Sequence, residues 1–317
     1  MGKKIIKIFF SKQRLSTKQP IYFLIWIVLV LPISTACKNS KMPEFDKQHA
    51  FSQLIKQCEF GARVPGTTAH RNCLEYLTSK LRSYGAQVTT QPFQITIRGE
   101  TTPVTCYNII ANFHPNNSRR ILLCAHWDTR PWADQDPDPA NHSKPVLGAN
   151  DGASGVAVLL EIARLIQLSP PKFGVDIVFF DAEDLGSYGD NETWALGSKQ
   201  FAKNLSRRYR PEFAILLDLI GDSDQQLYIE KNSYQYAKDI VDMVWNTAQR
   251  LGIHEFIPEV KHDVYDDHIN LLEIGIQCIN IIDFDYKYWH TIEDTPDKCS
   301  PQSLDNVGRV LVDILYR

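Results

Sequence analysis

The sequence predicts an α/β fold in one domain: a mostly parallel, mixed central sheet flanked by helices. Three observations carry that prediction. Strand-like and helix-like stretches alternate from about residue 46 to the end of the chain, the pattern of βα units with parallel strands. Several of the strand-like stretches are near-continuous apolar runs, as expected for strands covered on both faces. The composition is ordinary for a globular protein, 44% hydrophobic and 22% charged, which excludes a disordered, collagenous or small disulfide-stapled chain. A length of 317 residues allows two domains or one large α/β domain, and no internal repeat or low-complexity tract divides it.

In chain order, strands are expected over 95–98, 106–113, 121–125, 176–180, 214–219, 227–229 and 277–282. Helices are expected over 47–57, 68–83, 152–167, 197–204, 234–250, 267–273 and 301–315. Ser300-Pro301 is a good start for the last helix, with serine at the cap and proline in the first turn. The helix over 234–250 has no evident functional residue and reads as sheet cover.

The first 36 residues read as an address. They carry Lys3, Lys4, Lys7, Lys12, Arg14 and Lys18 and no acid, so a net charge of −3 for the whole chain becomes −9 for the rest. An acidic body argues against nucleic acid as a partner. Residues 21–31 form an apolar run of 11, short for a bilayer anchor but right for a signal-peptide core. Ser34-Thr35-Ala36 then precede Cys37. The segment resembles a bacterial lipoprotein signal, with Ser34 in place of the usual aliphatic residue. It implies a signal over 1–36, a linker over 37–45 and a catalytic domain over 46–317. The expected product is an exported protein, lipid-anchored to a membrane at Cys37 and facing the periplasm of a bacterial envelope. A plain secretory signal or an uncleaved anchor also puts the body outside the cytoplasm.

Six further cysteines, at 58, 73, 106, 124, 278 and 299, show no CxxC spacing, which speaks against a thiolate zinc site. The compartment permits disulfides, and spacing assigns none. Cys124 and Cys278 lie in apolar runs and read as buried thiols. Asp134, Asp136 and Asp138 alternate as in a calcium loop, but the glycine and terminal glutamate of an EF-hand are missing. A solvated acidic loop is expected.

In open α/β sheets, ligands bind outside the carboxyl ends of the strands, and acids crowd those ends here. The strand over 121–125 runs into His126 and Asp128; that over 176–180 runs into Asp181, Glu183 and Asp184. The strand over 214–219 contains Asp218 and ends near Asp222, the one over 277–282 leads to Trp289-His290, and Asp151 precedes the helix at 152. A lone acid at a strand end is usually a cap or a solvated residue, but five or six together need a cation or protons to coexist. Carboxylate oxygens with imidazole nitrogen and no thiolate suit zinc at a catalytic site.

His126-Trp127-Asp128, GANDGASG around Asp151, DAED at 181–184, LLDLIGD at 216–222 and WHT at 289–291 resemble the zinc aminopeptidase superfamily. More narrowly, the chain is similar to animal-type glutaminyl-peptide cyclotransferases and their bacterial counterparts, from about Phe60 to the last helix. Asp266-Asp267-His268-Ile269 and Trp289 beside His290 pull toward the cyclases. Two departures from the animal enzymes stand out: aspartate at 184 replaces a glutamate, and the stretch 153–156 lacks the cysteine that would partner Cys124.

The resemblance implies conversion of an N-terminal glutamine of peptides or proteins to pyroglutamate with release of ammonia. It implies one Zn2+ held by Asp151, Asp184 and His290. Glu183 would shuttle the proton. Asp218 and Asp266 would hydrogen-bond the amine or the departing nitrogen. Trp289, with Trp194 as a second wall, would contact the substrate. His126, Asp151 and Asp218 also match a second zinc site of the aminopeptidases, so a dizinc hydrolase stays open, as does an inactive peptide-binding member.

Overall fold

The computed structural model describes residues 42–206 and 208–317. The expected signal and Cys37 therefore lie outside the described residues. The described residues lie in one compact unit. Phe45, at the end of the expected linker, is buried against Gly308, and Asp46 caps the first helix through the amides of Gln48 and His49.

A six-stranded sheet organises the body, in the order β1-β2-β4-β3-β5-β8. Its strands are β1 (Gln87–Ile95), β2 (Val104–Phe113), β3 (Arg120–His126), β4 (Gly174–Phe180), β5 (Ala214–Asp218) and β8 (Cys278–Ile282). β4, β3, β5 and β8 are mutually parallel, while β1 and β2 run antiparallel at one edge. The mixed, mostly parallel sheet expected from the sequence is the one found. β6 (Leu227–Ile229) and β7 (Phe256–Val260) form a separate parallel pair.

On one face the sheet is covered by α1 (Lys47–Glu59), α2 (Thr68–Ser83), α3 (Ala153–Leu168), α6 (Lys238–Arg250) and α8 (Pro301–Tyr316), which share the large apolar core with Ile109, Leu123, Ile177, Ile215 and Ile279. On the other, α4 (Leu196–Asn204) and α7 (Asp267–Glu273) close a smaller core around Leu122, Cys124, Val178, Leu216 and Cys278. Alternate residues of β3 thus serve opposite cores, which is why the strand reads as one apolar run.

Two expectations need correction. The strand placed over 95–98 is instead β1, over Gln87–Ile95. β1 is an edge strand, half-exposed and interrupted by Pro92 opposite Tyr107, so its signal is weak. The single helix over 234–250 is two helices, α5 (Lys231–Tyr236) and α6, broken at Ala237. Glu230 caps α5 and fixes its start ahead of the expected one.

Gly155 shows how tightly α3 meets the sheet. A Cβ there would stand 2.4 Å from the Leu217 carbonyl oxygen and 2.9 Å from Ala125 Cβ. Gly155→Ala is expected to cost about 1–3 kcal/mol through overpacking, seen as a lower midpoint in thermal denaturation. An unchanged midpoint would contradict this packing.

Candidate active site

The parallel strands end on one rim, and the polar residues gather there. β3 delivers His126, β4 leads into Asp181–Asp184, β5 ends on Asp218, and the loop after β8 carries Trp289 and His290. Asp151 sits before α3, and Asp266 caps α7. The turns are forced. Ala182, Ala195, Leu219 and His290 have φ of 58°, 52°, 49° and 55°. They make up four of the five non-glycine residues in the left-handed region among the described residues. Each is a site residue or adjoins one, and each carries strain of roughly 1–2 kcal/mol. Gly152 also has positive φ, 88°, and a Cβ there would meet the Asp128 carbonyl at 2.8 Å.

Two sets of ligand-type atoms share Asp151. His290 Nε2 lies 2.9 Å from Asp184 Oδ1 and 3.6 Å from Asp151 Oδ2. His126 Nε2 lies 3.0 Å from Asp151 Oδ1 and 3.1 Å from Asp218 Oδ1. Burial holds the His290 pKa down at about 3, so its imidazole is neutral, as a metal ligand must be. His290 Nδ1 is 2.7 Å from Tyr188 Oη, the outer contact that fixes a ligating ring. Burial raises Asp184 to about 8, against the pull of Arg130.

The first set fits zinc. Asp151 Oδ2 and both oxygens of Asp184 are buried without a hydrogen-bond partner, an arrangement that costs energy unless a cation satisfies it. Ligands about 2.1 Å from a tetrahedral zinc lie about 3.4 Å apart, and the two His290 separations bracket that value. Two carboxylates and a neutral imidazole without thiolate suit an open catalytic site.

Supporting bonds hold these groups. Asp128 accepts from the amides of Glu183 and Asp184 at 3.1 and 3.3 Å. Asp294 accepts from the Asp151 amide at 3.1 Å and from Asn150 and Tyr286. His70, stacked on Trp127, bonds Asp181 at 2.9 Å. Arg130 donates to the Asp184 and Gly186 carbonyls and packs against Trp194.

Beside this cluster opens a cavity of about 300 Å3. Glu183, Asp218 and Asp266 line it together with Asp151, Trp194, Trp289 and His290, and Tyr188, Val264 and Phe284 add to the wall. Trp289 stacks on His290 at 3.8 Å between ring centres, and Trp194 lies parallel to the same ring at 6.0 Å. Burial, then repulsion from Asp266, raises the Glu183 pKa well above its usual value. Asp266 rises to about 6 through burial and the nearby Asp218. Its carboxylate accepts from Asn280 Nδ2 at 2.6 Å and from the Asp267 amide at 2.5 Å. For His126, burial works against protonation, but hydrogen bonds to Asp128, Asp151 and Asp218 outweigh it and raise the pKa.

All eight residues expected at the site thus converge. Asp222 does not join them; it bridges to Cys299. Tyr188, Arg130, Asn280 and Asp294 are additions that the sequence did not single out; Tyr188 alone left a signal, as an aromatic on the long loop after β4. The acidic loop differs from the solvated run expected. Asp134 is paired with Arg130, Asp136 is buried and accepts from Asn141 and Ile292, and Asp138 caps a short turn. The six described cysteines are free thiols.

Comparisons with known proteins agree with this geometry. The family model described as Peptidase family M28 matches residues 108–315. A leucine aminopeptidase precursor from Bacteroides thetaiotaomicron superposes with a TM-score of 0.85 at 40% identity, covering 87% of this chain and 99% of that one. A glutaminyl cyclase from the same organism, bound to N-acetylhistamine, gives 0.84 and 40% over the same shares. The glutaminyl cyclase of Tannerella forsythia gives 0.83 and 42%, again over 87% and 99%. The chain belongs to peptidase family M28, and bacterial glutaminyl cyclases are among its relatives.

Proposed function

We propose that this protein cyclises the N-terminal glutamine of peptides and proteins to pyroglutamate and releases ammonia, using one zinc ion held by Asp151, Asp184 and His290. The observation that carries this reading is Asp266. It is a buried carboxylate outside both ligand sets, fixed by Asn280 in the wall of a pocket it shares with Glu183 and Asp218. Asp266 would accept from the attacking amine, and ring closure, unlike peptide hydrolysis, needs no activated water.

When bound, the zinc supplies a Lewis acid for the γ-carbonyl oxygen. The substrate's own α-amine attacks that carbonyl, so nucleophile and electrophile are tethered and no nucleophilic side chain is required. Glu183 takes a proton from the attacking amine and gives it to the amide nitrogen. The new N–C bond closes the ring, the old C–N bond breaks, and ammonia leaves. A raised carboxyl pKa suits both transfers. Asp218 and Asp266 accept hydrogen bonds from the amine or the departing nitrogen. Trp289 and Trp194 wall the glutamine side chain and exclude water.

Trp289→Ala is expected to raise KM roughly tenfold, about 1.4 kcal/mol of lost ring contact, with a smaller change in kcat. Steady-state kinetics on a Gln-initiated dipeptide decide it; an unchanged KM removes Trp289 from the pocket's role.

A second reading, dizinc aminopeptidase, is favoured by one observation: His126, Asp151 and Asp218 also form a ligand set. Gln-β-naphthylamide separates the two. Ammonia with the amide intact means cyclisation, and free naphthylamine means hydrolysis. Metal content of the same preparation should be one zinc per chain.

The basic leader, the apolar run and Cys37 support an exported, lipid-anchored protein on the periplasmic side of a bacterial envelope. Cys37→Ser should then move the protein from the membrane fraction to the soluble one, and a variant that stays membrane-bound would refute lipidation at that residue.

A further inference from the structure

The end of the body opposite the pocket is formed by the amino-terminal ends of β3, β4 and β5, the loops before them, and the carboxyl ends of α2, α3 and α8. Direct bonds tie these pieces together. Gln167 donates to the Ser83 carbonyl at 3.0 Å, Tyr316 to that of Ser169 at 2.6 Å, and Asn117 to that of Lys172 at 2.7 Å.

Unpaired cations outnumber unpaired acids at this end. Arg82, Lys172, Arg208 and Arg210 are exposed here and form no ion pair among the described residues. Of the acids at this end, Glu212 accepts two bonds from Arg119, at 2.5 and 3.0 Å, and Asp176 is buried against Arg120, while Glu273 at the end of α7 is exposed. Leu168, 66% exposed at the end of α3, adds an apolar contact among the cations.

We propose that this end docks on an anionic phospholipid surface, leaving the pocket facing away from the bilayer. A lipid surface is favoured over another polyanion by Cys37, eight residues ahead of Phe45, where the proposed lipid anchor would hold the body against a membrane. Each cation near an anionic bilayer favours the docked state by about fivefold, so four together give on the order of several hundredfold. The orientation keeps the cavity open to protein N-termini arriving from solution.

The test uses the full chain in vesicles, with Cys58→Ser to limit background labelling. One fluorophore is placed at Ser118→Cys, on the basic end, and another at Lys287→Cys, on the pocket side. A headgroup-attached quencher should dim the label at 118 in vesicles containing phosphatidylglycerol, but not in phosphatidylcholine alone, and high salt should restore it. The quadruple variant Arg82→Gln, Lys172→Gln, Arg208→Gln, Arg210→Gln should lose the quenching while keeping its thermal midpoint. The inference is overturned if quenching is equal in neutral vesicles, persists in high salt or in the folded quadruple variant, or is as strong at 287. If the quadruple variant does not fold, the lipid and salt arms on the otherwise native chain decide.

Discussion

Glu183→Gln is expected to lower ammonia release from a Gln-initiated dipeptide by about 10²–10⁴-fold, with zinc content unchanged. The side chain lines the cavity but stands outside the ligand set of Asp151, Asp184 and His290. Its backbone amide stays bonded to Asp128 in the variant, so the turn that presents Asp184 persists. Glutamine keeps the volume and loses the ability to take and return a proton. Turnover within threefold of wild type would remove Glu183 from the chemistry. Peptide binding that survives with no turnover in the unmutated protein would instead mark a binding module.

Metal removal should turn the site into a pH-sensitive weakness. Burial raises Asp184 to about 8, Asp294 to about 7 and Asp266 to about 6, from an ordinary value of 3.8. Between about pH 4 and 8 the folded, metal-free protein therefore holds protons that the unfolded chain has released. Stability falls with rising pH wherever the folded state binds more protons, so the chelated protein should melt at progressively lower temperature from pH 5 to pH 8. Zinc held by Asp151, Asp184 and His290 would take the place of the proton at Asp184, and the loaded protein should show a flatter slope and a higher midpoint at pH 8. Melting curves with and without a chelator test this. A chelated protein that gains stability toward pH 8 would contradict the assignment of these buried acids.

The parts of the fold legible in the sequence are those whose environment is uniform. β4 is buried along its whole length and α3 along most of its length, so hydrophobicity alone marks them. β1 alternates exposure at an edge, and β7 pairs only with the three-residue β6; neither has a strong local pattern. The site was legible for a topological reason. Parallel strands bring their carboxyl ends together, so acids that follow successive apolar runs converge on one rim wherever the rest of the chain goes. What stayed hidden depends on distant approach. Tyr188 reaches His290 across 102 residues of sequence and Asp294 reaches the Asp151 amide across 143, and no spacing rule connects such pairs.

The left-handed joints at Ala182, Ala195, Leu219 and His290 bear on how this enzyme can be altered. At those four points the main chain helps to aim the side chains that line the rim. At Ala182, Ala195 and Leu219 glycine would relax the joint and widen its range of angles, trading aim for ease, while at His290 it would also remove the imidazole. Programmes that harden the protein against heat by relieving such tension would therefore blunt it as a catalyst, and the safer places to reinforce it lie in the helical shell, away from the rim.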